Sequence, residues 1–195
     1  MMPSFQIFSR VRLRIGIPSP GSEVQTSTNV EFFRKERLSE MTGKIDARLT
    51  ALNIELPDAP APAANYVPFV LSGNLVFVSG QVPWVGGERN FVGKVGIDYT
   101  VEEGQDAART VALNIIAQVK AACDGDLDRV VRCIKLGGFV NCPDNFHQQP
   151  QVINGASDLM VDVFGDAGRH SRFAVGAPAL PFNVAVEIDA VFEVR

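Results

Sequence analysis

Two side chains near the C-terminus are of the right types and spacing to act on a small acid. Arg172 opens the run Ser171–Ala177, and Glu187 lies on the next run, Val184–Val194. In the second run, Val184, Val186, Ile188, Ala190 and Phe192 alternate with Ala185, Glu187, Asp189, Val191 and Glu193. That is the period of a strand with one apolar face and one face bearing three carboxylates. Arginine is a permanently charged planar fork that grips a carboxylate through two parallel hydrogen bonds. A glutamate nearby can position or deprotonate a water. If the two runs pair antiparallel, they place the clamp and the water site in one pocket. The competing reading of the same spacing is an ordinary salt bridge within the sheet.

Other chemistries lack their residues. The sequence has no P-loop, no G-x-G-x-x-G after a strand, no H-E-x-x-H and no G-x-S-x-G. The only histidines, His147 and His170, are too few for a histidine-rich metal centre. Both read as loop or surface residues, with the charges of Arg169 and Arg172 opposing protonation of His170. Cys123, Cys133 and Cys142 stand ten and nine residues apart, neither a C-x-x-C pattern nor an even disulfide framework. They read as small core hydrophobes in a reducing cytoplasm. A formal net charge of −4, from 22 acids against 18 Lys and Arg, argues against general nucleic-acid affinity. No apolar run reaches the ~20 residues of a membrane helix, so no membrane partner is expected.

The elements that must position Arg172 and Glu187 follow from periodicity and punctuation. A helix is expected over 38–53, its part from Met41 leading into the domain, with Ile45, Leu49 and Leu52 on one face. Pro57, Pro60 and Pro62 then impose an extended entry. Val67–Leu71 and Leu75–Ser79 flank Ser72-Gly73-Asn74 as a hairpin. Gly86-Gly87 marks a second turn, and Val92–Ile97 a further irregular strand. Thr100-Val101-Glu102-Glu103 is a capping box opening a helix to Cys123. A strand runs from Val130 to Val140, and a second helix from Pro150 to Phe164, stopped by Gly165. The order β-β-α-β-α-β-β predicts an α+β fold, a mixed sheet with two helices on one face. The uncovered face must meet water or another subunit. Residues 1–40 carry a net charge of +2, against −6 for the rest, and the first 22 contain no acid. They read as a poorly ordered extension ahead of a domain at 41–195, with organellar targeting left open.

The stretches Ala63-Ala64-Asn65-Tyr66-Val67 and Leu75-Val76-Phe77-Val78-Ser79-Gly80-Gln81-Val82-Pro83, with the close from Arg172 to Val194, resemble the reactive-intermediate deaminase family (Rid, YjgF or L-PSP endoribonuclease-like). The resemblance covers roughly four fifths of the chain and is closest to a diverged branch with an extended N-terminus. It implies a chorismate-mutase-like homotrimer with sites in clefts between subunits. It also implies hydrolysis of enamines and imines such as 2-aminoacrylate to a 2-keto acid and ammonia, with no metal and no organic cofactor. Carried over, Arg172 binds the substrate carboxylate and Glu187 holds the attacking water. Tyr66 and Ser79 line the pocket, Asn154 aligns with the family's helix asparagine, and Ala174 replaces a cysteine used mainly through its backbone.

Two departures touch the pocket. Phe173 stands where the family has a small polar residue and is expected to point away into the core. The long polar stretch Asn141–Pro150 is expected to reshape the pocket mouth. The alternative function is a non-catalytic trimer that binds small carboxylates. A ribonuclease fits poorly with an acidic chain that has one tryptophan.

Overall fold

The computed structural model describes residues 43–62 and 64–195; the expected extension 1–40 and the first turn of the 38–53 helix lie outside them. The elements are α1 (Lys44–Ala51), β1 (Phe69–Ser72), β2 (Leu75–Gln81), β3 (Trp84–Val85), β4 (Glu88–Arg89), α2 (Val101–Ala122), β5 (Val130–Asn141), α3 (Gln149–Phe164), β6 (Ser171–Ala177) and β7 (Val186–Val194). The five long strands form one mixed sheet in the order β1-β2-β7-β5-β6, antiparallel except for the parallel pair β5–β6. The fold is α+β, as the element order predicts.

Local signals placed the helices. The Thr100 hydroxyl accepts the Glu103 N–H at 3.1 Å, and Glu103 Oε2 accepts the Thr100 N–H at 2.7 Å. Gly165 ends α3 at φ +61°, a left-handed backbone that side chains resist. The start of α1 depends on a distant group, since both Asp128 carboxylate oxygens accept its first N–H groups, from Lys44 at 2.8 Å and Ile45 at 2.9 Å. Asp46 pairs with Lys120 of α2 at 2.9 Å.

Packing supplies most of the stability. Helices α2 and α3 cover one sheet face, where Val186, Ile188, Ala190, Phe192 and Val194 of β7 are buried. Each such large side chain contributes about 1.5–3 kcal/mol, against about 1 kcal/mol for a helix cap. Gly155 permits the close helix contact, because a Cβ there would strike the Gln105 carbonyl. The three cysteines are free and buried, as expected of core hydrophobes, and burial pushes the Cys133 thiol up to about 12.

One expectation for the loops is corrected and one is borne out. Val92–Ile97 is no strand but a loop held by the isolated bridges Val92–Val184 and Val95–Tyr99, its glycines Gly93 and Gly96 having φ +149° and +88°. The Gly86-Gly87 turn forms as expected and closes a small separate hairpin, β3–β4, with Trp84 opposite Arg89. Among the described residues, no helix is long and apolar enough to cross a membrane.

Candidate functional site

Arg172 sits on edge strand β6 and turns toward α3. Its Nη1 donates to Asn154 Oδ1 and to Ser157 Oγ, both at 2.9 Å, and its Nη2 donates to the Pro150 carbonyl at 3.2 Å. Three of the five guanidinium donors are thereby used, leaving Nε–H and one Nη2–H without a partner among the described residues. Ser157 is supported in turn. His170 Nδ1 lies 2.6 Å from the Gly168 carbonyl, which can only accept, so Nε2 is left to accept the Ser157 hydroxyl at 3.0 Å. Burial, reinforced by the Arg172 charge, holds the His170 pKa below its usual 6.5 and preserves that neutral form. His170 thus lies in the loop before β6, as expected, but is half-buried and bonded to Ser157 rather than set on the surface.

Glu187 faces the other way, into a cavity of about 600 Å³ shared with Tyr66, Gly80, Trp84, Arg89 and Phe182. One extra β2 residue between Val78 and Gln81, opposite β7, forms a bulge that lays Gly80 against Glu187. A Cβ at Gly80 would collide with the Glu187 carboxylate, so only glycine leaves that group its place. Burial, then repulsion from Asp189, raises the Glu187 pKa above 4.5. No ion pair or hydrogen bond among the described residues engages its carboxylate.

Two buried amides one helical turn apart on α2 hold the cavity walls. Asn114 Nδ2 donates to the carbonyls of Val82 at 3.0 Å and Trp84 at 3.1 Å, anchoring the β3–β4 hairpin. Gln118 Nε2 donates to the Pro60 carbonyl at 2.6 Å, anchoring the proline-rich entry segment. Both side chains are about 1% exposed. Their cost of burial is offset only through these bonds.

The pocket expected from Arg172 and Glu187 in one chain does not form. Strand β5 lies between β6 and β7, and the two side chains occupy opposite sheet faces. Gly138 would carry a Cβ into Ile153 of α3, whereas one at Gly137 would strike Phe173 and Asp189 on the uncovered face. Arg172 pairs with buried Leu136 on the helix side, and Glu187 with half-exposed Phe139 on the open side. The same separation removes the intrasheet salt bridge. Phe173 does not enter the core, because strand alternation sends it to the open face. There its ring meets Phe139 edge to face at 5.4 Å and Lys135 Nζ lies 5.2 Å from its centre.

The other expected site residues divide between these places. Tyr66 lines the Glu187 cavity, and Asn154 touches Arg172. Ala174 packs against the core on the Arg172 side. Ser79 lies on the cavity strand, but its hydroxyl donates to the Val67 carbonyl at 2.8 Å and does not line the cavity. Most of Asn141–Pro150 borders a separate depression with Cys142, Phe146 and Gly176, but Asn141 at its start donates to Asn183 Oδ1 beside Phe182, a wall of the Glu187 cavity. Sequence reasoning missed Ser157, Gly80, Trp84, Arg89 and Phe182. The signals present were a glycine following Ser79 in a strand and two amides, Asn114 and Gln118, within an otherwise apolar helix face. Among the described residues, no three His, Cys, Asp or Glu side chains gather as a metal site.

Comparison with known proteins adds an independent line. The family profile described as "YjgF/chorismate mutase-like, putative endoribonuclease" matches residues 46–193. Protein TCP17 of Trypanosoma cruzi is 51% identical over 157 residues, covering 79% of this chain and 96% of that protein. A solved structure of Atu1372, a protein of unknown function from Agrobacterium tumefaciens, is 52% identical with a TM-score of 0.73, over 77% of this chain and 92% of its own. One described as a "putative endoribonuclease" from Shewanella oneidensis is 39% identical with a TM-score of 0.74, over 77% and 99%.

Proposed function

Because the chain belongs to the YjgF/chorismate mutase-like family, we propose that it hydrolyses short-lived 2-imino and 2-enamino acids to 2-keto acids and ammonia, at sites shared between copies of a homotrimer. One observation carries this reading. Each chain holds two incomplete halves on opposite sheet faces: an arginine with two N–H groups and a glutamate that find no partner among the described residues. Both halves serve one substrate only when Arg172 of one copy meets Glu187 of another. The uncovered sheet face, with Phe77, Phe139 and Val175 exposed, supports burial against a neighbour.

The chemistry asks little beyond orientation. An imine carbon is already electrophilic, so a carboxylate clamp, a placed water and a proton acceptor suffice. Arg172 binds the substrate carboxylate through Nε–H and Nη2–H. Glu187 takes a proton as the water oxygen bonds to the imine carbon, giving a tetrahedral carbinolamine. Glu187 then passes that proton to nitrogen. As the C–N bond breaks, the carbinolamine hydroxyl gives its own proton back to Glu187, so that ammonia and a keto acid leave and the departing ammonia takes that proton as ammonium. An enamine enters this path after protonation at its β-carbon. The raised Glu187 pKa makes it a stronger base than a solvated carboxylate once ionised.

The test is a coupled assay in which an amino-acid oxidase or a dehydratase makes imines and enamines in place. Wild type should speed keto-acid release. Arg172→Ala should lower kcat/KM by about 30- to 1000-fold, the ~2–4 kcal/mol of breaking a charge-assisted pair. Arg172→Ala and Glu187→Gln chains, unfolded together and reassembled, should recover activity at about one quarter of their sites. No recovery from variants that each reassemble overturns the shared site. No acceleration by wild type on any imine points to the carboxylate-binding module.

A further inference from the structure

Arg89 is the cavity's unassigned cation. It stands on β4 directly across from Trp84, and its guanidinium carbon lies 3.8 Å from the Phe182 ring centre and 5.5 Å from that of Trp84. Its planar group is therefore held on aromatic surfaces, an arrangement that favours arginine over lysine. Stacking engages the faces of a guanidinium and leaves its N–H edge free. Among the described residues no carboxylate lies within salt-bridge distance of that edge, and no hydrogen bond from it forms.

The scaffold around Arg89 is built rather than incidental. Phe182 has φ +59° and Asn183 φ +57°, left-handed backbone that a bulky aromatic residue adopts only where its surroundings impose it. Asn183 Oδ1 accepts from buried Asn141 at 3.1 Å, and its carbonyl accepts the Gly93 N–H at 2.7 Å, which fixes the turn and so the Phe182 ring. On the other side Trp84 is tied to α2 through Asn114. Arg89 is thus oriented from two elements far apart in the sequence. It lines the same cavity as Glu187, whose remaining walls include Tyr66 and Pro181.

We propose that Arg89 is a specificity residue that receives a second anionic group, so that the preferred substrates are 2-imino acids whose side chain ends in a carboxylate. The assignment rests on the imine-hydrolysis reading for the reacting end, where Arg172 holds the first carboxylate and Glu187 the water. Aromatic walls pack the intervening methylenes, and Arg89 grips the far carboxylate through its free edge. Because Arg89 is solvent-exposed, a neutral side chain leaves it hydrated at no loss. Selectivity therefore comes from gain on acidic substrates and not from rejection of apolar ones.

Equilibrium binding separates this assignment from catalysis. Calorimetry on the full chain with 2-oxoglutarate and with 2-oxopentanoate, product-like acids of equal length, should show the dicarboxylate bound about tenfold more tightly. Arg89→Met, which keeps the apolar stem, should erase that preference while leaving 2-oxopentanoate affinity unchanged. In the coupled assay the same variant should raise KM for imines of glutamate and aspartate and leave KM for alanine and norvaline imines unchanged. Equal binding of the two keto acids by wild type, or a preference that survives Arg89→Met, overturns the role of Arg89. Absence of turnover on every imine overturns the hydrolase reading instead, and the binding arm still decides Arg89.

Discussion

The Arg172 corner and the Glu187 cavity put charged groups to opposite uses. Arg172 is held by partners close in sequence, all within α3 and the edge strand that follows it, and more than half of its donors are satisfied. Glu187 is unpaired among the described residues, half-buried and pushed toward its neutral form, in a cavity assembled from the segments at 60–66, 80–89 and 181–187. One region stabilises its charge in advance; the other destabilises its charge. A clamp must hold one geometry through every turnover, whereas a base gains reactivity from being poorly solvated. That contrast can be tested by removing each arrangement in turn.

The largest effect is expected at the strained side. Glu187→Gln should lower kcat by about 10²- to 10⁴-fold while leaving keto-acid binding nearly intact, as steady-state kinetics and calorimetry would show. Loss of affinity matching the loss of rate would make Glu187 a binding group and erase the contrast. Next comes Gly80→Ala, where the new methyl displaces the carboxylate. It should cost about tenfold or more in kcat with circular dichroism unchanged. A smaller effect belongs to the satisfied side. Ser157→Ala removes one Arg172 partner and the His170 partner, and should raise KM about three- to tenfold with little change in kcat.

The smallest effect is a stability difference with a defined sign. Glu187 has a folded pKa above its ordinary 4.5, so the folded state favours its protonated form. Its contribution is fully present below pH 4.5 and is lost as pH rises through the folded value. Glu187→Gln should therefore melt with wild type in acid and about 1–2 °C above it near pH 7, modest because the group is half solvated. His170 adds the opposite trend. Its folded pKa is depressed below 6.5, so its contribution is present above 6.5 and is lost as pH falls through the folded value. A melting series in Glu187→Gln and His170→Phe separates the two.

Much of the scaffold was legible before any coordinates. The Thr100–Glu103 box, the Gly165 stop and the alternation of Val186 to Val194 are short-range patterns, and each survives in place. The hairpin turn at Ser72-Gly73-Asn74 joins β1 and β2, as its glycine signals. The site was legible only in part. Asn154 touches Arg172 and Tyr66 shares the Glu187 cavity, but the spacing of Arg172 and Glu187 on consecutive strands does not show that β5 stands between those strands. Arg89 passed unnoticed because an arginine after Gly86-Gly87 looks like any turn cation until Phe182, some ninety residues on, is laid across it.

The sequence by itself determined where α2 begins and α3 ends, which side of β7 is apolar, and which residue types could clamp an acid or hold a water. These depend on capping, on a period of two or 3.6 residues, and on side-chain chemistry, all local. Tertiary structure alone decided that β5 inserts between β6 and β7, that Arg172 and Glu187 face opposite ways, and that Asn114 and Gln118 hang the cavity walls from α2. Strand order is set by how two helices best cover one sheet face, a balance of burial over the whole domain. No window of the sequence contains it.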